Sequence, residues 1–112
     1  MNWIELTNVA QLDSIKEEST AEAVAIFKHS TRCSISAMAK SRLERSYDAS
    51  NTLKFYYLDL IRHRDISNKI ADDFHVVHES PQVLLIKNGE CVYEESHNGI
   101  DMYEIMEQAK VA

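Results

Sequence analysis

Cys33 stands inside "FKHSTRCSISAMAKSRLER", residues 27–45, at the point where an apolar run gives way to a helical pattern. The chemistry open to a thiol in that place is disulfide exchange, in which the thiolate is the nucleophile. A cysteine at the start of a helix faces the unpaired backbone N–H groups of the next residues, here Ser34, Ile35 and Ser36, and the positive end of the helix dipole. Both favour thiolate over thiol, and Lys28 and Arg32 add positive charge nearby. A thiol that merely fills space sits among apolar side chains. Here Ser30, Thr31, Arg32 and Ser34 surround it. Ser36 occupies the position where a dithiol site has its second cysteine, so another thiol must complete any reaction begun at Cys33. The Ser36 hydroxyl can donate to the Cys33 sulfur or bond the preceding helical turn.

The other reactive groups are scattered. Cys91 lies 58 positions away in "ECVYEES", and two such thiols are poorly explained as a structural disulfide in a chain without a signal segment. His29, His75, His78 and His97 show no His-x-x-x-His or Cys-x-x-Cys spacing, so no metal site is expected. His29, four residues before Cys33, can tune its charge; His78 and Glu79 precede Pro81 and can meet a substrate.

Charge narrows the partners. The formal net charge of −6 argues against general nucleic-acid binding, which needs clustered Lys and Arg. It is unevenly spread, however. Lys28 to Arg64 holds eight cations and three anions, a net +5, while the rest carries −11. "MNWIELTNVA" has no basic or continuous apolar leader, and no run approaches the roughly 18 apolar residues of a membrane span. The expected location is the cytoplasm, with no membrane partner.

The elements that must position Cys33 follow from periodicity. At 112 residues the chain fits one domain, residues 1–112. Asn8 and Gln11 have the spacing of a capping box ahead of a first helix that contains Leu12 and Ile15. "AVAIFKH", Ala23–His29, reads as a central strand buried on both faces, which implies parallel neighbours. Ile35, Met38, Ala39, Leu43 and Tyr47 then recur at helical intervals. Leu53–Ile61 has the composition of a second strand. Asp65 can cap a helix bearing Ile66, Ile70 and Phe74, with Asp72 and Asp73 facing solvent. "PQVLLIKNGECVYEES" is a hairpin turning at Asn88-Gly89, with Pro81 at the start of its first strand. Tyr103, Ile105, Met106 and Ala109 suit a closing helix. The fold class is α/β, β-α-β-α-β-β-α after an N-terminal helix: three α/β/α layers with a mixed four-stranded sheet.

With Cys33 at the strand-to-helix corner and Pro81 opening the third strand, this order resembles the thioredoxin-like superfamily along nearly the whole chain. "FKHSTRCSIS", "HESPQ", "NGE" and "HNGI" together resemble the monothiol bacilliredoxins, whose Thr-x-Cys-x-Ile-Ser signature is matched by Thr31, Cys33, Ile35 and Ser36. Ser34 replaces the proline often found after the cysteine. The resemblance implies a cis bond before Pro81 and a substrate-facing loop at Ser80 and Pro81, joined by His29 and His78. It implies thiolate stabilisation by Thr31, Arg32, Ser34, Ile35 and Ser36, with Cys33 as the catalytic thiol. The implied activity is removal of bacillithiol from protein mixed disulfides, with no bound cofactor and bacillithiol as co-substrate. Its partners would be S-bacillithiolated proteins and bacillithiol or another thiol reductant. Bacillithiol carries a malate group, so Lys28, Arg32, Arg62 and Arg64 are expected to steer it. Two alternatives are a non-catalytic thioredoxin-like adaptor and a glutaredoxin-like iron–sulfur carrier, whose Cys-Gly-Phe-Ser motif this chain lacks.

Overall fold

The apolar run at Ala23–His29 forms the central strand β2, Val24–His29, and all six of its residues are buried. The structure is a computed structural model that describes residues 1–48 and 52–112. On one side β2 pairs in parallel with β3 (Lys54–Asp59), and on the other in antiparallel with β4 (Gln82–Lys87). Two-sided burial is therefore met by one parallel and one antiparallel neighbour, not by two parallel ones. The Asn88-Gly89 turn has φ of 53° and 75°, the double positive φ of a type I′ hairpin, and returns the chain as β5 (Glu90–Ser96).

The sheet has five strands in the order β1-β3-β2-β4-β5, one more than the sequence suggested. The extra strand β1, Trp3–Glu5, pairs in parallel with β3 at the sheet edge. Three residues are too few to display an alternation. What fixes β1 is tertiary: the Trp3 ring stacks on Phe27 at 5.5 Å, and its indole N–H donates to Glu44 at 2.9 Å.

Side-chain alternation along β2 splits the core in two. Val24 and Ile26 join Leu12, Ile15, Ile66 and Ile70 beneath α1 (Ala10–Glu18) and α3 (Arg64–Asp73). Ala25 and Phe27 join Ala39, Leu43 and Ile105 beneath α2 (Ser34–Arg45) and α4 (Met102–Val111). Burying all of this apolar surface is the main force that closes the three layers.

The helix starts repeat some expectations and correct others. Gln11 Oε1 accepts the Asn8 N–H at 3.0 Å, the reciprocal half of a capping box, while Asn8 Oδ1 accepts from Ala10 at 2.8 Å. Asp65 does not cap α3: His63 holds that position, and Asp65 lies in the first turn, where its charge still suits the dipole. Asp73 does not face open solvent; Lys16 and Lys69 hold it at 2.9 and 3.3 Å. Ile35 and Met38, expected on the buried stripe of α2, are 43% and 61% exposed, because the buried face of that helix runs through Ser36, Ala39 and Leu43 and leaves them to one side. Tyr103 is likewise exposed, and Met102 takes the buried place beside Ile105.

Candidate active site

β2 and β3 end together, His29 paired with Asp59, and the chain then turns through Ser30–Cys33, closed by the Cys33 N–H donating to the Ser30 carbonyl at 3.2 Å. Cys33 is the N-cap of α2, with extended backbone (φ −113°, ψ 121°), and its carbonyl accepts the Ala37 N–H at 3.0 Å. Ser34, Ile35 and Ser36 form the first turn, whose N–H groups have no partner inside the helix. Cys33 is partly exposed, while Thr31, Arg32, Ser34 and Ile35 are exposed around it.

Ser36 is fully buried and does neither of the two things foreseen for it. Its Oγ accepts the Ser30 N–H at 3.0 Å and lies 2.6 Å from His29 Nδ1, so the hydroxyl fastens the first turn of α2 to the end of β2. His29 is only 6% exposed, its ring stacked on Phe27 and tilted against Tyr57. It sits beneath the reactive corner rather than against a substrate. Burial, reinforced by the Lys40 charge, holds its pKa below the usual imidazole value.

The second wall of the site comes from the other side of β2. The ladder between β2 and β4 ends at Lys28 and Gln82, which puts Pro81 level with His29 at the end of β2, and the Ser80–Pro81 peptide bond is cis. The Pro81 carbonyl accepts the His97 N–H at 3.0 Å, and Arg42 of α2 donates to the carbonyls of His97 and Ile100, both at 3.2 Å. The segment "HNGI" thus ties the proline loop to the helix that carries Cys33. Ser80 Oγ is buried and has no hydrogen-bond partner among the described residues.

Residues 4–105 match the monothiol bacilliredoxin family. The chain belongs to that family. A solved structure described as a candidate oxidoreductase with a thioredoxin fold is 32% identical, with a TM-score of 0.83, covering 95% of this chain and 92% of its own. Thioredoxin from Fasciola hepatica (16% identity, TM-score 0.75, covering 96% and 97%) and mitochondrial thioredoxin 3 from Saccharomyces cerevisiae (17%, 0.73, 97% and 94%) share the fold. The protein is a bacilliredoxin-family thiol oxidoreductase of thioredoxin-like fold.

Within this bacilliredoxin-family fold the remaining expected residues divide. Arg62 and Arg64 are exposed just beyond β3, at the same sheet end as Cys33. Lys28 is not with them: it is 0% exposed and points into the layer beneath α1 and α3. Its ammonium donates to His78 Nδ1 at 2.8 Å and to Gln82 Oε1 at 3.1 Å, and burial lowers its pKa to about 8. His78 therefore turns one ring nitrogen inward, and its pKa is lowered by burial and then by the Lys28 and Arg64 charges. Gln82 and Ser67 were not foreseen. Their signal was present, since a buried glutamine inside "PQVLLIK" must find partners.

Cys91 lies far from the reactive corner. It pairs across the hairpin with Ile86, which pairs with Val24 at the opposite end of β2. Five residues of strand, roughly 17 Å, separate that level from His29. Its thiol donates to the Tyr93 carbonyl at 3.3 Å, and burial pushes its pKa up. Among the described residues no three His, Cys, Asp or Glu side chains come together to hold a metal ion, and no helix is long and apolar enough to cross a membrane.

Proposed function

We propose that this chain removes bacillithiol from mixed disulfides on proteins in the cytoplasm, with Cys33 as its only working thiol. The observation that carries the reading is the pairing of Cys33 at the N-cap of α2 with a buried serine, Ser36, three residues later. A thiol there can start an exchange and has no neighbouring thiol to finish it.

The Cys33 thiolate attacks the bacillithiol sulfur of the protein–bacillithiol disulfide. That S–S bond breaks, a Cys33–bacillithiol disulfide forms, and the substrate protein leaves as a thiolate that takes up a proton from water. A second bacillithiol, as thiolate, attacks the bacillithiol sulfur on Cys33, releasing bacillithiol disulfide and restoring Cys33. The net change is one disulfide exchanged for another, with no electrons left over and no bound cofactor. The protein substrate rests on the exposed Ile35 and Met38 beside Cys33 and runs along the Ser80–Pro81 loop, where free backbone groups can pair with an extended chain. Arg32, Arg62 and Arg64 draw the malate carboxylates of bacillithiol to this end of the sheet.

The test follows release of bacillithiol from a bacillithiolated protein by non-reducing mass spectrometry. Release should need Cys33 for the first half and free bacillithiol for repeated turnover. Release that proceeds equally well with Cys33→Ser would refute the reading.

A further inference from the structure

We infer that Lys28 is a positioning residue for exchange at Cys33: from inside the sheet it sets the place of the Val77–Pro81 loop through His78 and Gln82. The inference rests on the exchange reading above and adds residues that reading does not use.

A lysine with no exposed surface in a central strand is rare unless paired, because its ammonium loses its water shell. Here the three-donor ammonium reaches two acceptors. An ammonium has no lone pair, so His78 Nδ1 is the acceptor of the 2.8 Å bond and its ring proton sits on Nε2. Gln82 Oε1 takes the second bond, and the same amide passes the restraint on, as Nε2 donates to the Val77 carbonyl at 3.1 Å and to Glu94 at 3.2 Å. One buried amine thus grips the loop twice, directly at His78 and through Gln82 at Val77. Ser67 of α3 stands 3.4 Å from the same His78 nitrogen, so α3 closes the site from the other side.

The loop gripped in this way leads within three residues of His78 to Ser80 and Pro81. The far end of the loop is held by His97, whose N–H donates to the Pro81 carbonyl at 3.0 Å and whose ring lies 3.5 Å from Glu79, whereas at the near end Val77 is 80% exposed and His75 before it has a φ of 55°. Lys28 lies on the same strand as His29, one residue earlier and on the opposite face. The two faces of one strand end therefore anchor the two walls of the site: His29 holds the Cys33 helix through Ser36, and Lys28 holds the proline loop. Glu79 is an opposing charge that acts on both the amine and His78, and Arg64 is the further cation that acts on His78.

The experiment compares Lys28→Met, His78→Ala, His78→Gln and the double variant Lys28→Met/His78→Ala with the wild type. Two readings are taken: KM and kcat for a cysteine peptide carrying a bacillithiol mixed disulfide, and the rate at which iodoacetamide alkylates Cys33. Alkylation by so small a reagent does not need the loop. Lys28→Met and His78→Ala should each raise KM about tenfold, the scale of one lost charged hydrogen bond. Alkylation should stay within about twofold, and the double variant should be scarcely worse than either single one. His78→Gln, which keeps an acceptor, should recover most of the KM. Unchanged KM in His78→Ala, or alkylation of Cys33 slowing in step with the rise in KM, would overturn the positioning role. A wild-type protein that fails to exchange with the peptide would instead refute the reading beneath it.

Discussion

Ser36 Oγ lies 2.6 Å from His29 Nδ1 and accepts the Ser30 N–H at 3.0 Å, so one buried hydroxyl joins the last residue of β2, the turn after it and the first turn of α2. The corner that presents Cys33 is held by this contact. Ser36→Ala leaves the half-buried Ser30 amide and the buried His29 ring without their partner, which costs about 1–3 kcal/mol. Urea unfolding followed by the fluorescence of Trp3, the sole tryptophan, should show the lower midpoint. The variant should still form an adduct at Cys33, since the hydroxyl bonds to the strand end and not to the sulfur.

Stability should fall in mild acid because of His29 and His78. Burial holds both rings below the ordinary value of 6.5. Unfolded, each binds a proton as the pH drops through that value, while the folded chain resists protonation; the contribution is complete above about 6.5 and lost below it. The drop between pH 7 and pH 5 should be smaller in His29→Gln and His78→Gln. Lys28 acts at the other end of the scale. Its pKa of about 8 in the fold against 10.5 unfolded means that the unfolded chain binds more protons between those values. Stability from this group therefore rises with pH over that window, and a Lys28→Met variant should lack the rise.

The two cysteines should react at different rates. Cys33 is partly exposed at a helix start, whereas the Cys91 thiol donates to the Tyr93 carbonyl and is pushed up by burial. Iodoacetamide at pH 7.5 should label Cys33 on the order of tenfold faster, read by peptide mapping. Cys91→Ser should leave exchange intact.

Much of this was legible from the residues. Ala23–His29, the helix starting after Cys33, the Asn88-Gly89 hairpin and Pro81 all announce themselves through strong local chemistry: unbroken apolar run, periodic stripe, forced positive φ, missing N–H. What escaped depends on partners far along the chain. β1 needs Phe27 and Glu44 to hold Trp3 in place, and Ile35 and Met38 look like core until the buried face of α2 is seen to run through Ser36, Ala39 and Leu43 instead. Lys28 reads as surface charge by composition, and only its place in a strand buried on both faces reveals that its ammonium must find His78 and Gln82.

That correction reshapes the steering prediction. With Lys28 enclosed, Arg32, Arg62 and Arg64 are the exposed cations left to attract a dianionic thiol. Replacing all three with Gln should slow exchange with bacillithiol disulfide several-fold at about 20 mM salt, and the gap should close near 0.5 M, where charges are screened within a few ångströms. A rate that ignores both the replacement and the salt would remove steering from the account.

The central claim is that Cys33 alone takes and releases bacillithiol. Its most direct test is the intact mass of the reduced protein, and of Cys33→Ser, after brief exposure to a bacillithiol mixed disulfide, with glutathione disulfide alongside. The account predicts one bacillithiol adduct on the wild type, none on the variant, slower reaction with glutathione, and full reversal by added bacillithiol. An adduct that persists in Cys33→Ser, or none on the wild type, would contradict it.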